Sequence, residues 1–245
     1  MSLAAGLLLA GHFATWITSL EYTTVASSAV LVATAPLFVA LLTPMVLRES
    51  LGRNLLVGMG LSFFGSIVVG IGDACIWRHG LVCPATEDLL GGRAIRGDLL
   101  ALAGALAGAG YMLIGRRARG SAPLVPYITL VYGTAALAML LISGAAGHRL
   151  FGYPKITYLW LGLLALFPQL LAHTMTNWVL RYLSAAYVSI ILLGEPLGSS
   201  LLAYFLLREV PGAISLVGGA MILVGIAMAS LRTARTSLQA HSTPA

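Results

Sequence analysis

The apolar positions of this chain fall in long unbroken runs, with polar residues confined to the breaks between them. Eight runs stand out, at about 2–20, 24–47, 54–72, 98–115, 124–146, 157–181, 184–207 and 211–231. Each is long enough to cross a hydrocarbon layer of about 30 Å as a helix rising about 1.5 Å per residue. Lipid offers backbone amides no partner, so continuous runs of this length predict helices, whereas barrel strands would show short alternating runs. The pattern predicts an all-α polytopic membrane helix bundle of about eight transmembrane helices.

The runs also repeat. Sliding the sequence by 160 positions places Tyr22 on Tyr182, Pro36 on Pro196, Arg48-Glu49 on Arg208-Glu209, Gly58 on Gly218 and Gly65 on Gly225. His12 meets His173 when one residue is skipped. Positions 36 and 196 lie five crossings apart, an odd number, so the copies are expected in opposite orientations, as inverted repeats. The second copy carries two runs ahead of its matching region, while the first begins almost at Met1. The expected organisation is a partial first repeat of three helices over 1–72, an outward-facing connecting loop over 73–97 and a complete second repeat of five helices over 98–231. A polar, basic tail over 232–245 is expected to be disordered. Asp98, after Gly97, has the character of a helix N-cap. Gly104-x3-Gly108 and Gly194-x3-Gly198 predict close helix approaches. Gly58-x-Gly60 followed by Gly65 has the look of a nucleotide-binding loop but lies inside an apolar run, so packing is the better reading.

Composition agrees with a membrane location. Of 245 residues, 59% are hydrophobic and 9% charged, with a mean hydropathy of +0.94, against about 25% charged in soluble domains. The net charge of +6 is scattered through short loops without an aromatic platform, which argues against a nucleic-acid partner. Alternating loops put eight basic residues on one side and six on the other, and Arg116-Arg117-x-Arg119 abuts a helix end. By the positive-inside rule that loop, the 48–53 turn and both termini are expected in the cytoplasm. A cleavable signal peptide fits the first run less well, because no Lys or Arg precedes it and His12 and Trp16 interrupt it.

Few residues inside the runs carry chemistry. Glu195 sits near the middle of the seventh run, directly before Pro196. A carboxylate there costs several kcal/mol unless neutralised, paired or facing water, which marks it as a candidate solute-amine or proton site. The rival reading has its protonated form bonding a carbonyl that Pro196 frees. Pro36 is the equivalent helix breaker of the first copy. Gln169, His173, Thr176 and Asn177 are spaced to share one helix face, as are His12, Thr15, Trp16 and Ser19. Such stripes point into the bundle, towards water or other helices. For His12 and His173 a bonded structural role competes with a role as cavity ligand. Tyr111 and Trp16 are candidate aromatic walls, and Trp178 suits an interfacial anchor. The Arg48-Glu49 and Arg208-Glu209 pairs suit the membrane surface, where they would set helix depth. Cys75 and Cys83 are most simply read as a disulfide on the outer face, with free thiols or a metal site using His79 and Asp73 as alternatives. No constellation of nucleophile, base and orienting group can be assembled, so no enzyme, cofactor or metal is expected.

Several motifs in order resemble one family. They are Ser19-Leu20-Glu21-Tyr22-Thr23-Thr24-Val25-Ala26, then Ala35-Pro36-Leu37-Phe38-Val39-Ala40-Leu41-Leu42 and Leu47-Arg48-Glu49. Gly97-Asp98-Leu99-Leu100-Ala101-Leu102 runs to Gly115-Arg116-Arg117, and Glu195-Pro196-Leu197 runs to Leu206-Leu207-Arg208-Glu209. Over about 2–231 the chain resembles the EamA-type drug/metabolite transporter superfamily. The resemblance implies ten helices in two inverted copies of five, without enzyme activity or ATP. It also implies export of small metabolites or amino-acid-like solutes by alternating access, from a bacterial inner (plasma) membrane. Against that pattern the first two helices are missing. A start upstream of Met1, pairing as a homodimer, or a non-transporting assembly partner or inactive product would each account for this. The expected cavity is lined by His12, Trp16, Tyr111, Gln169, His173, Asn177 and Glu195, with proton coupling through Glu195 or His173.

Overall fold

Wherever the apolar runs are described, they fold as helices. The structure, a computed structural model, describes residues 1–23, 25–49, 51–74, 76, 77, 81, 82, 92–194, 198, 205 and 213–241. Helix α1 spans Ser2–Ser19, α2 Val25–Val32, α3 Ala35–Val46 and α4 Arg53–Ala74. A short hairpin follows, β1 (Ile76–Trp77) antiparallel to β2 (Leu81–Val82), with Ile76 opposite Val82. Helix α5 spans Gly92–Arg119, α6 Leu124–Ala145 and α7 Lys155–Leu164. A π-helical segment, Ala165–Ala172, leads into α8, His173–Val179; α9 (Ala185–Leu192) and α10 (Ala213–His241) follow. Among the described residues five stretches are long and apolar enough to cross a membrane: Ser2–Ser19, Ser28–Val46, Gly92–Arg119, Leu124–Ala145 and Lys155–Val179. The architecture is a polytopic helical bundle. Glu195, Pro196, Cys75, Cys83 and Arg208-Glu209 lie outside the described residues.

Proline shapes two of the runs. The run at 24–47 is interrupted between α2 and α3, where Thr34 Oγ1 donates to the Leu31 carbonyl at 2.6 Å. Pro36 occupies the first turn of α3, a position whose amide has no intrahelical acceptor to lose. Pro168 lies inside the π-helical segment. A proline ring displaces the carbonyl four residues back, and a widened turn accommodates that clash.

Boundaries move where tertiary contacts reward it. Helix α5 begins at Gly92 rather than near 98, because its first turns pack on the α1–α2 connection. Arg93 Nη2 donates to the Glu21 carbonyl at 3.0 Å and its guanidinium lies 5.9 Å from the Tyr22 ring centre. A Cβ on Gly97 would lie 2.7 Å from the Thr23 nitrogen, so only glycine permits this approach. Asp98 therefore sits within the helix and accepts from Thr23 Oγ1 at 2.8 Å, instead of capping the helix start. Helix α10 runs to His241, through residues read above as a disordered tail. Ala, Leu, Arg and Gln in that stretch are all good helix formers.

The most extensive contact joins α4 to α10. It is reciprocal. A Cβ on Gly58 would collide with the Gly225 carbonyl, and one on Gly65 would lie 2.7 Å from the Gly218 carbonyl oxygen. Gly218 and Gly225 are the repeat mates of Gly58 and Gly65, so each glycine meets the mate of the other. Between them Ser62 Oγ donates to the Ile222 carbonyl at 3.2 Å, a pair separated by 160 positions. Reciprocal pairing of this kind is what a two-fold relation between inverted copies would produce. The second expected approach behaves differently. Gly104 and Gly108 receive α1, and a Cβ on Gly194 would lie 3.6 Å from Ile226 Cδ1 of α10, whereas one on Gly198 would meet nothing within 4 Å among the described residues.

At one end of the bundle the arginines of α5 hold neighbouring turns. Arg116 Nη1 donates to the carbonyls of Leu180 and Arg181, both at 3.1 Å, capping the chain just after α8. Its Nη2 lies 3.3 Å from Glu49 Oε1. Glu49 is therefore paired with Arg116 rather than with its neighbour Arg48, whose left-handed backbone (φ 57°) turns the chain out of α3.

Candidate functional site

Helix α1 is covered by α5 and α6, and α8 packs on the same two helices. Their shared interior holds most of the polar and aromatic residues singled out above. His12 sits over the glycines of α5: its Nδ1 is 2.9 Å from the Gly104 carbonyl, and a Cβ on Gly108 would lie 3.0 Å from that nitrogen. A carbonyl only accepts, so Nδ1 carries the proton and Nε2 is left to accept. Trp16, one turn further along α1, has its ring 5.6 Å from His12. Phe13 bridges the copies, with its ring 5.1 Å from His12 and 5.6 Å from His173, edge-on to the latter. His173 also meets Tyr111 edge-on at 5.9 Å. The repeat mates His12 and His173 thus converge around one phenylalanine.

Below His173 lies a dense hydrogen-bond cluster. Asn177, at 0% exposure, donates from Nδ2 to Tyr111 Oη at 2.5 Å, Tyr132 Oη at 3.3 Å and the His173 carbonyl at 2.8 Å. Tyr132 Oη lies 3.3 Å from Thr174 Oγ1. Arg119, at 1% exposure, donates from Nε to the Asn177 carbonyl at 3.1 Å and from Nη1 to the Ala122 carbonyl. These bonds tie α5, α6 and α8 together at the end where Arg116 caps the chain after α8.

His12, Trp16, Tyr111, His173 and Asn177 are therefore brought together. Gln169 is not joined to them by a hydrogen bond among the described residues. It lies in the π-helical segment, where it is the one residue of Ala165–Ala172 that is not exposed. Glu195 falls outside the described residues. Phe13, Tyr132, Thr174 and Arg119 belong to the cluster but were not marked by sequence. Tyr132 offered one signal, a polar-tipped ring in an otherwise apolar run; Arg119 was read as a topology signal alone. The described lining offers imidazole, indole, phenol and amide groups, suited to stacking on a solute and to neutral hydrogen bonding.

Against models of known families, residues 1–71 and 95–231 match the EamA-like transporter family. The chain belongs to that family. A protein of known crystal structure is similar to this fold, with a TM-score of 0.76 at 20% identity, aligned over 96% of this chain and 76% of its own. No curated protein matches. Membership of the EamA-like family makes this an integral membrane protein of transporter type.

Proposed function

We propose that this EamA-like protein is a secondary transporter that exports small metabolites or amino-acid-like solutes by alternating access between two inverted copies. One observation carries the reading: repeat-mate histidines from both copies converge on a common aromatic interior, 5.6 Å from Phe13 to His173 and 5.1 Å to His12. A site shared between half-bundles is what rocking of one half against the other exposes to each side in turn. His12, Trp16, Tyr111, His173 and Asn177 line it in this reading, with Gln169 and Glu195 contributing from the same cavity. Glu195 is the proposed proton-coupling residue. The proposed setting is the bacterial inner membrane with both termini cytoplasmic.

Flux into proteoliposomes tests this. A panel of amino-acid-like solutes should yield at least one that moves, and Trp16→Ala or His173→Ala should lower its flux by about tenfold, roughly 1.4 kcal/mol of solute interaction. Folded protein that moves no solute in the panel would sink the reading.

A second reading, a membrane assembly partner, has its own support. Residues 155–172 hold no buried side chain, and Trp160 and Phe167 are exposed at 59% and 55%. Folded protein that moves nothing but copurifies as a homodimer or with another membrane chain would favour it.

A further inference from the structure

We propose that one ordered water is bound where α5, α6 and α8 meet, between the Tyr127 hydroxyl and the side-chain oxygen of Asn177. Both oxygens are buried, in residues exposed by 1% and 0%, and neither has a hydrogen-bond partner among the described residues. They face a common spot. The position that a Cβ would take on Gly115 lies 3.4 Å from Tyr127 Oη and 3.6 Å from Asn177 Oδ1.

The two groups are complementary. The amide nitrogen of Asn177 points at the His173 carbonyl, which can only accept, and this fixes the amide with Oδ1 towards Gly115. Tyr127 has a proton to give, and Asn177 Oδ1 has lone pairs to offer. A water accepts from the phenol and donates to the amide oxygen, satisfying both at once. Leaving either unpaired in a medium of low polarity is costly, so two such groups at one spot point to a polar ligand. The missing side chain of Gly115 opens the spot, while Leu180 Cδ1, 3.1 Å from that Cβ position, closes it with an apolar wall. Buried waters with two to four polar partners are ordinary parts of folded proteins.

This water joins Tyr127 of α6 to Asn177 and so extends the hydrogen-bond cluster across all three helices. It makes Tyr127 and Gly115 positioning residues for Asn177, and through it for Tyr111. The inference does not depend on transport.

Tyr127→Phe keeps the ring and removes the hydroxyl. In the purified full chain, a high-resolution density map should show a water peak between the two oxygens, and the peak should vanish in Tyr127→Phe. Thermal unfolding of that variant should begin about 2–4 °C lower. Gly115→Ala, which puts a methyl group in the spot, should expel the peak while leaving both oxygens in place. A wild-type map with no peak there, or a Tyr127→Phe protein with unchanged or raised Tm, overturns the assignment, since removing an unpartnered hydroxyl relieves a cost.

Discussion

Asn177 illustrates how much one polar residue can organise in an apolar chain. Its amide reaches two tyrosine hydroxyls and a backbone carbonyl, and its own carbonyl accepts from Arg119. Asn177→Ala should therefore destabilise the protein by about 1–3 kcal/mol, because the buried hydroxyls of Tyr111 and Tyr132 lose a partner. Thermal unfolding in detergent checks this; an unchanged midpoint would mean that the cluster holds nothing. The residue types at the site were readable in advance, because a His, Trp or Asn in a membrane run is expensive unless it faces the interior. Which of them would touch was not. Phe13 has no polar atom to draw notice, yet it is the ring through which His12 and His173 meet.

At the scale of elements, close helix approach depends on the absence of side chains at chosen points. The α4–α10 contact brings backbone against backbone at Gly58 and Gly225, leaving no space for a side chain. Gly58→Leu should push these helices apart and deplete the folded protein, whereas Gly60→Ala, whose Cβ meets nothing within 4 Å, should leave the yield unchanged. Monodispersity on size-exclusion chromatography distinguishes the two, and equal behaviour of both variants would refute the contact. Sequence offered both glycines with equal weight, as it did Gly104 and Gly198. Only the arrangement of neighbouring helices separates a glycine that admits a helix from one that faces open space.

Across the whole molecule, the contacts sort the loops into two sets. Glu49, Arg116, Arg119 and Arg181 gather at one end, while Glu21, Tyr22, Arg93 and Asp98 gather elsewhere in the fold. This is the grouping that strict alternation of crossings requires, with the 48–53, 116–123 and 180–184 connections on one side. The proposed orientation places that side in the cytoplasm. Single cysteines at Arg117 and Arg149 should then label oppositely in intact cells, with only the Arg149 site reacting with an impermeant thiol reagent. In that experiment Cys75 and Cys83 are first replaced by Ser. Labelling at Arg117 alone would invert the topology.

The linear pattern alone determined that the chain lives in lipid as helices, that part of it recurs at an offset of 160 positions, and which few polar residues stand in costly places. Hydropathy and repeat spacing are properties of composition and order, and the bilayer reads them directly. Tertiary structure decided what those residues do for one another. It paired Glu49 with Arg116 instead of Arg48, drew α5 back to Gly92 over the α1–α2 connection, and opened a π-helical turn around Pro168. Each of these outcomes rests on a neighbour distant in sequence or on a local change of helical pitch. Neither is encoded in the spacing of apolar residues, so only the assembled fold could choose among the partners available.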